Sequence, residues 1–284
     1  MLNQLLFFVA KRFVSGQTIQ EAVAAVRRLN AMGISATLDV LGENVSDRRA
    51  ADAAVATYLE TLDSIQQEAL RSTVSLKLTQ MGFNIGRDYC LENVARICER
   101  AAAGNNFVRI DMEGSAYTEG TLNLFYDLFK RYQNVGVVIQ AYLHRSERDV
   151  RKLIDLGARV RLCKGAYKEP PDVAVQTMTA VRQNFMGLAS LLLAKGNHPA
   201  IATHDELLMS WTKDYVQKHR IPRNEFEFQM LYGVRSETQR QLAAQGYLMR
   251  VYVPFGTHWL PYFYRRMRER KENVAFVFKN LFRK

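Results

Sequence analysis

The sequence has few cysteines and no paired cysteine motif. Three cysteines occur in 284 residues, at positions 90, 98 and 163, and none belongs to a C-x-x-C pair. Disulfide frameworks and structural zinc sites both need closely paired cysteines, so neither is expected. The five histidines also lack a ligand spacing such as H-x-x-x-H. We therefore predict a protein of a reducing compartment that binds no metal.

The sequence also lacks the usual nucleotide-binding and membrane-crossing signals. Neither G-x-G-x-x-G nor G-x-x-x-x-G-K-[ST] occurs, and no aromatic–basic repeat suggests a nucleic-acid partner. The apolar stretch at residues 1–13 is too short to cross a bilayer. It also has no basic residue before its apolar run, unlike a signal peptide. We predict a cytoplasmic location.

Positive charge is concentrated at the C-terminal end. The net charge is +11, and residues 265–284 contain eight lysines and arginines against two glutamates. Val274, Val277, Phe278 and Leu281 fall on one stripe of a predicted helix. A basic amphipathic helix can bind an anionic membrane, here the inner face, but such a stripe also packs on a protein's own helices. The sequence leaves both alternatives open.

Strand-like and helical segments alternate eight times with short connections. Strands are predicted at residues 36–42, 74–81, 107–113, 136–143, 158–166, 200–205, 225–231 and 249–255. The helices that follow are predicted at residues 46–69, 89–103, 118–132, 146–157, 172–195, 206–219, 236–245 and 260–270. This α/β alternation favours a distorted (β/α)8 TIM-type barrel, with a doubly wound open sheet as the alternative. We expect one domain over residues 1–284, with a barrel core at 36–270 and extra terminal helices.

The last predicted strand leads into a helix with a regular pattern of polar residues. Pro254 is expected to end the hydrogen-bond ladder of the strand, and Pro261 suits a first helical turn. Helical spacings of three and four then relate Tyr262, Arg265, Arg266 and Glu269. Two guanidinium groups beside a tyrosine can bind a carboxylate, although spacing alone also fits a solvated basic face.

Polar residues lie within or just after the other predicted strands. They are Glu43, Lys77, Asp111, Gln140, Arg161, Lys164, Thr203, His204, Asp205 and Gln229. The carboxyl ends of barrel strands meet at one mouth, so we expect these side chains to converge there. The excess of lysine and arginine favours an anionic ligand.

Eight motifs occur in one order between residues 36 and 270: VSLKL, RIDME, VIQAY, RLCKGAY, ATHD, FEFQML, RVYVPFGTHW and PYFYRRMRE. Together they resemble proline dehydrogenase of the monofunctional bacterial type. The resemblance implies a distorted (β/α)8 barrel that binds FAD without a Rossmann motif. It also implies oxidation of L-proline to Δ1-pyrroline-5-carboxylate by hydride transfer to FAD, with a quinone as electron acceptor, as the first step of proline catabolism.

The resemblance also implies roles for single residues. Substrate binding falls to Lys77, Tyr167, Leu231, Tyr262, Arg265, Arg266 and Glu269. Contacts with FAD fall to Met112, Gln140, Arg161, Lys164, Gly165, Ala166, Thr203, His204 and Gln229. Catalytic roles fall to Asp111, Arg161 and Tyr252, with Asp111 supporting the wall that Tyr252 helps to form and Arg161 near the flavin N5. Glu43 corresponds to a gate that pairs with Arg265.

One position departs from the commoner pattern of the family. Asp205 stands where many relatives have asparagine, and its carboxylate would repel a nearby phosphate. Two other functions remain open from the residues alone. One is a non-catalytic barrel that binds an anionic metabolite, and the other is an aldolase that forms a Schiff base at Lys77 or Lys164.

Overall fold

The computed structural model of the chain describes Phe7 and residues 10–269, without the side chains at positions 265 and 267–269. In this part of the chain, eight parallel strands pair in sequence order and close into a barrel. The closed sheet confirms the predicted (β/α)8 barrel and excludes the doubly wound alternative, because an open sheet has two unpaired edges.

The strands are β1 Ser35–Val40, β2 Ser72–Leu76, β3 Val108–Ile110, β4 Val135–Gln140, β5 Val160–Cys163, β6 Ala200–Ala202, β7 Glu227–Leu231 and β8 Leu248–Phe255. Among the described residues, the helices are α1 Ile19–Ala31, α2 Arg48–Gln67, α3 Arg87–Ala103, α4 Ser115–Phe129, α5 Ser146–Asp155, α6 Met178–Lys195, α7 Glu206–Lys218, α8 Ser236–Ala244 and α9 Trp259–Glu269. Helix α1 precedes the barrel, and α2 to α9 follow β1 to β8 in turn.

Short-range sequence signals set the starts of several helices. Thr18 and Glu21 form a reciprocal capping box at α1. Asp47 and Asp205 cap α2 and α7, each accepting a hydrogen bond from a backbone N–H of the first turn. Such caps satisfy N–H groups that have no partner within the helix, so these starts follow from the local sequence.

Helix α6 begins later than the sequence predicts. The prediction covered residues 172–195, whereas α6 starts at Met178. Before it, Ala174 forms an antiparallel bridge with Leu143, just beyond β4. This tertiary contact holds the segment out of the helix, and a helical periodicity cannot reveal it.

Pro254 does not end the last strand, contrary to the prediction. Strand β8 continues to Phe255. The Tyr252 carbonyl accepts a hydrogen bond from the Tyr232 N–H at 2.9 Å. The backbone N–H and C=O groups of Tyr252, and of every second residue of β8 from it, therefore point toward β7. Pro254 faces that side too, but β7 has already ended at Leu231. The missing proline N–H therefore costs no ladder hydrogen bond.

Alternate strand residues form two different buried layers. The side chains that pack against the helices are apolar, as at Leu38, Leu76, Ile110, Val137 and Val251. The intervening positions are polar, as at Thr37, Asp39, Ser75, Arg109, Arg161 and Gln229. Because successive strand side chains point to opposite faces, the polar set points into the barrel. The interior therefore differs from the branched apolar filling common in this fold.

No helix within the described ranges is long and apolar enough to cross a membrane. The amphipathic segment predicted at residues 271–284 lies outside the described residues. Its packing, on the barrel or on a membrane, stays a prediction.

Candidate active site

A buried ion pair lies at the carboxyl ends of β1 and β2. Lys77 directly follows β2, not within the strand as predicted, and its Nζ lies 3.0 and 3.2 Å from the two carboxylate oxygens of Asp39. Burial by itself lowers the pKa of Lys77, but Asp39 and Asp111 outweigh that effect and the pKa is raised. Lys77 is therefore a fixed cation. Two of its three N–H donors face Asp39, which leaves one for another acceptor.

Arg161 makes contacts across the barrel interior. Its Nη1 lies 2.8 Å from Asp111 Oδ1, and its Nη2 donates to Ser75 Oγ at 2.9 Å. Its guanidinium carbon is 5.5 Å from the centre of the Tyr252 ring. These partners lie on β2 and β8 and just after β3, none of which neighbours β5. The contacts can therefore form only inside the barrel.

Asp111 connects Arg161 to Tyr252. It directly follows β3, one residue beyond the predicted position inside the strand, and accepts a hydrogen bond from Tyr252 Oη at 2.8 Å. This hydrogen bond is a direct contact between Asp111 and the residue whose wall it was predicted to support. Burial raises the pKa of Asp111, and Arg161 and Lys77 offset only part of that effect. Burial and then the charge of Asp111 raise the pKa of Tyr252, so its phenol remains a donor.

Unused hydrogen-bonding capacity is found beside this network. Gln140, the last residue of β4, is buried, and its Nε2 makes only a long 3.4 Å hydrogen bond to the Met112 carbonyl. Its Oε1, and the Nε of Arg161, are buried and have no hydrogen-bond partner among the described residues. Such atoms are costly to leave unpaired. They mark a place for a polar ligand or water.

Two cations share one carboxylate at the part of the mouth that lies after β5 and β6. Asp205 Oδ2 lies 3.1 Å from Lys164 Nζ and 2.8 Å from Arg182 Nε. Burial raises the pKa of Asp205, but the hydrogen bonds from Arg182 and Lys164 outweigh it and the pKa is lowered. The expected repulsion of a phosphate by Asp205 is therefore offset, because the cluster of three carries a net positive charge.

The other predicted FAD contacts on β6 and β7 make hydrogen bonds within the protein. The Thr203 hydroxyl accepts from the Asp205 N–H at 3.1 Å, and His204 Nε2 accepts from the Leu231 N–H at 2.9 Å. The Gln229 amide donates instead to Glu227, toward the amino end of β7. The backbone of Gln229 stays beside the predicted contacts, since its carbonyl accepts a hydrogen bond from the Thr203 N–H at 3.2 Å, but its side-chain amide is engaged with Glu227.

The segment after β5 needs a glycine at position 165. Gly165 has a φ of +111°, and a Cβ there would lie 2.2 Å from the Tyr142 ring. Both its conformation and the close ring exclude larger residues. Ala166 is exposed and Tyr167 half-buried beyond it. The pair therefore lies at the rim rather than in the interior.

A cleft of 810 Å³ opens beside Lys77. Its walls include Glu43, on the loop between β1 and α2, and Tyr262, on α9. Leu231, at the end of β7, is half-buried and pairs in register with Tyr252. The cleft gives a small molecule access to the only lysine that the described mouth holds in a fully buried ion pair.

Helix α9 contributes one described arginine to the region. The Arg266 guanidinium carbon lies 5.2 Å from the centre of the Tyr262 ring, a cation–π contact within the helix. The side chains of Arg265 and Glu269 are outside the described part of the chain. The paired-arginine clamp and the contact of Glu43 with Arg265 therefore stay predictions.

Sequence reasoning missed three residues of this constellation. Lys77 was selected because it is a charged residue within an apolar strand run. Asp39 meets the same criterion, so the sequence did carry a signal for Asp39. Ser75 and Arg182 carried none. A serine is common in strands, and Arg182 lies inside a helix whose predicted start was displaced.

Comparisons with known proteins agree with the geometry. The sequence model of the family Proline dehydrogenase matches residues 22–279. "Proline dehydrogenase 1" of Bacillus subtilis is 42% identical over 97% of this chain and 91% of its own length. "Proline dehydrogenase" of Deinococcus radiodurans is 37% identical over 99% of this chain and 92% of its own length.

A solved structure matches the fold. It is proline utilization A from Bdellovibrio bacteriovorus inactivated by N-propargylglycine, with a TM-score of 0.87 and 25% identity. The match covers 94% of this chain but 33% of that one. The similarity therefore concerns one part of the larger protein.

Proposed function

The chain belongs to the proline dehydrogenase family, and we propose that it oxidises L-proline to Δ1-pyrroline-5-carboxylate in proline catabolism, with FAD as cofactor and a quinone as electron acceptor. The observation that carries the proposal is the buried network of Lys77, Asp39, Arg161, Asp111 and Tyr252 at the mouth of the barrel. It combines a fixed cation for a carboxylate with a second buried cation that keeps one donor unused.

The residues at the mouth fit FAD. When bound, FAD supplies the two-electron redox chemistry that no side chain of the network can supply. The unpartnered Arg161 Nε and the amide of Gln140 are suited to the polar edge of a flavin ring. The positive cluster of Lys164, Arg182 and Asp205 is suited to phosphate. Met112, Gly165, Ala166, Thr203 and His204 complete the proposed contacts, and Gln229 would need to turn from Glu227 to join them.

We assign the proline carboxylate to Lys77, Arg265 and Arg266. Asp39 keeps Lys77 charged and fixed, because burial alone would favour loss of its proton. Fixing the carboxylate end orients the opposite side of the ring, where oxidation occurs. Glu269 belongs to the same helix motif, and Glu43 is the proposed gate over the bound substrate.

The pyrrolidine ring would lie against Tyr252 and Tyr262, with Leu231 and Tyr167 nearby. Tyr252 is held by its hydrogen bond to Asp111 and by the guanidinium over its ring. Because Asp111 also pairs with Arg161, the ring wall and the cation are fixed together. We therefore assign Asp111, Arg161 and Tyr252 to catalysis.

The aldolase alternative is less well supported. A lysine that forms a Schiff base must lose its proton easily, usually through a lowered pKa. The pKa of Lys77 is raised, and Lys164 is paired with Asp205. A non-catalytic binding barrel would account for the cations and for the unpartnered Gln140 Oε1 and Arg161 Nε as well, so a measurement must separate it from the enzyme.

An absorption spectrum of the purified protein tests the proposal. We expect a flavin spectrum that bleaches when L-proline is added without an acceptor and returns when a soluble quinone is added. A colourless protein that binds proline would instead support the binding barrel. Trapping by borohydride in the presence of an aldehyde or ketone substrate would support the aldolase.

The location of the enzyme is proposed to be cytoplasmic, with peripheral contact to the inner face of the membrane through residues 271–284. Such contact would suit a lipid-soluble acceptor. A variant without residues 272–284 should keep proline oxidation with a soluble acceptor and lose salt-sensitive binding to anionic liposomes. Full-length protein that does not bind these liposomes at low salt would contradict the membrane contact.

A further inference from the structure

Two residues of the loop between β1 and α2 are attached to the barrel through one buried threonine. Thr79, in the turn after β2, is fully buried. Its hydroxyl oxygen accepts a hydrogen bond from the Asn44 N–H at 2.9 Å, and its carbonyl accepts from the Val45 N–H at 3.0 Å. The two loop residues therefore share one partner. Glu43 precedes them directly and lines the cleft beside Lys77.

On its other side, Thr79 is held by a buried carboxylate. The Thr79 hydroxyl donates to Glu113 Oε2 at 2.6 Å, and the Thr79 N–H donates to Glu113 Oε1 at 3.1 Å. Glu113 is 4% exposed and lies just after β3, two residues beyond Asp111. Both of its oxygens accept hydrogen bonds, which is the pattern of a carboxylate. Burial raises its pKa, and the bonds from Thr79 offset part of that effect.

The directions of these hydrogen bonds are fixed by chemistry. The Asn44 N–H can only donate, so the Thr79 hydroxyl must accept there. Its single proton must then go to the other partner, and only an acceptor such as the Glu113 carboxylate can take it. A glutamine at 113 can satisfy the Thr79 N–H with its oxygen, but its NH₂ would then face the hydroxyl proton.

The loop also needs support because its backbone is unusual. Asn44 has a φ of +56°, in the left-handed region that most residues avoid. Asparagine tolerates this conformation better than most side chains, but some cost remains. The hydrogen bonds that the Asn44 and Val45 N–H groups donate to Thr79 offset that cost.

We propose that Glu113, acting through Thr79, is a positioning residue that fixes the loop carrying Glu43 and thereby the wall of the cleft beside Lys77. The proposal rests on the proposed function, since its consequence is measured as proline binding. Neither Glu113 nor Thr79 needs to touch substrate. Their effect should appear in KM, because the loop bounds the substrate cleft and does not carry the reacting atoms.

Three variants and a control separate hydrogen bonding from packing. Thr79→Val removes the hydroxyl at nearly constant size, Thr79→Ser keeps it, and Glu113→Gln removes the charge. Thr212→Val is the matched control, because Thr212 is also fully buried and its hydroxyl donates only to the Leu208 carbonyl within α7. Flavin content and melting temperature show whether each variant is folded.

Hydrogen exchange of peptides covering residues 41–47 gives a readout independent of turnover. Losing the acceptor of the Asn44 amide should speed exchange of the loop about fivefold in Thr79→Val. Glu113→Gln leaves that acceptor in place but takes the acceptor from the Thr79 hydroxyl proton, so Thr79 is held less firmly and loop exchange should rise in the same direction. The KM for proline should rise by a similar factor of about five, with kcat changed less than about twofold. Thr79→Ser and Thr212→Val should behave as the unaltered protein.

The proposal is overturned if either Glu113→Gln or Thr79→Val exchanges and binds proline as Thr212→Val does. It is also overturned if Thr79→Ser is impaired as strongly as Thr79→Val, since packing rather than the hydroxyl would then be responsible. If the unaltered protein does not oxidise proline, the proposed function fails, but loop exchange still decides whether Glu113 and Thr79 hold the loop.

Discussion

The barrel interior contains two groups of buried charges that differ in how many hydrogen-bond donors they leave without a partner in the described part of the chain. Near the amino ends of the strands, Arg250 donates through Nε to both oxygens of Glu227, at 2.9 and 3.0 Å, and through Nη1 to the Ala36 carbonyl. Gln229 also donates to Glu227, and Arg109 donates to backbone carbonyls of Val137 and Arg159. We call this group the floor. Its carboxylate accepts from two side chains.

The second group lies at the mouth, at the carboxyl ends of the strands, and includes Asp39, Lys77, Asp111, Arg161 and Tyr252. Its charges are paired as closely as those of the floor, yet donors remain at Lys77 and at the Arg161 Nε. A buried ion pair alone is therefore no sign of a site in this barrel. The distinguishing feature is hydrogen-bonding capacity left for a ligand, and four predictions follow from that difference.

The largest expected effect is on the mouth. Arg161→Met should lower kcat for proline about 100- to 1,000-fold, the usual loss when one preorganised electrostatic donor is removed from an active site. Steady-state kinetics with a soluble acceptor measures it. If kcat is unchanged at normal flavin content, Arg161 is structural and the mouth resembles the floor.

The same change in the floor should affect stability instead. Arg250→Met leaves Glu227 buried without its cation, which should lower the free energy of unfolding by about 3 kcal/mol. The kcat per folded, flavin-loaded molecule should stay within about twofold of the unaltered protein. Urea denaturation and activity at low temperature measure both. A large loss of kcat in well-folded Arg250→Met would show that the floor takes part in the reaction.

The substrate clamp should respond in KM. Arg266→Met removes one charge-assisted partner of the carboxylate, so KM for proline should rise about 10- to 100-fold, from a loss of about 1.5–3 kcal/mol. Flavin content should not change. Arg240→Met is the control, since Arg240 is half-exposed on α8 and pairs only with Glu237 in the described contacts. Equal KM values for the two variants would exclude Arg266 from the carboxylate site.

The smallest effect is a difference in pH dependence. Burial raises the pKa of Glu227, but Arg250 outweighs it and the pKa is lowered. Glu227 therefore stabilises the fold above its unfolded pKa, and this contribution is lost as pH falls through its folded pKa. Asp111 has a raised pKa, mainly through burial, so its ionised form destabilises the fold. Protonation of Asp111 as the pH falls relieves that destabilisation.

Two variants measure these opposite signs. The destabilisation caused by Glu227→Gln should shrink as pH falls, whereas that caused by Asp111→Asn should grow. Each pKa unit of difference between folded and unfolded states corresponds to about 1.4 kcal/mol. Urea unfolding at several pH values gives the comparison. Parallel pH dependences for the two variants would show that the two groups do not differ as described.

Much of the site could be predicted because its signals are local. A charged or amide residue within or just after an apolar strand run identified Lys77, Asp111, Gln140 and Arg161, and all four make their contacts at the mouth. The same rule placed Gln229 there, but its amide points to Glu227. Strand periodicity selects the inward face, and it does not tell which end of the barrel a long side chain approaches.

By itself, the sequence determined the number and order of the strands, the caps of α1, α2 and α7, and the alternation of apolar and polar layers. These depend on neighbours a few residues apart. Tertiary structure alone decided that Arg161 meets Ser75, 86 residues away, and that Lys77 is paired with Asp39. The Arg161 contact arises when the sheet closes, because closure brings non-adjacent strands within reach across one interior. Lys77 meets Asp39 because β1 and β2 pair side by side, with Asp39 in register with Ser75. The raised pKa of Lys77 and the capacity left at Arg161 therefore follow from strand pairing and closure, which local sequence does not specify.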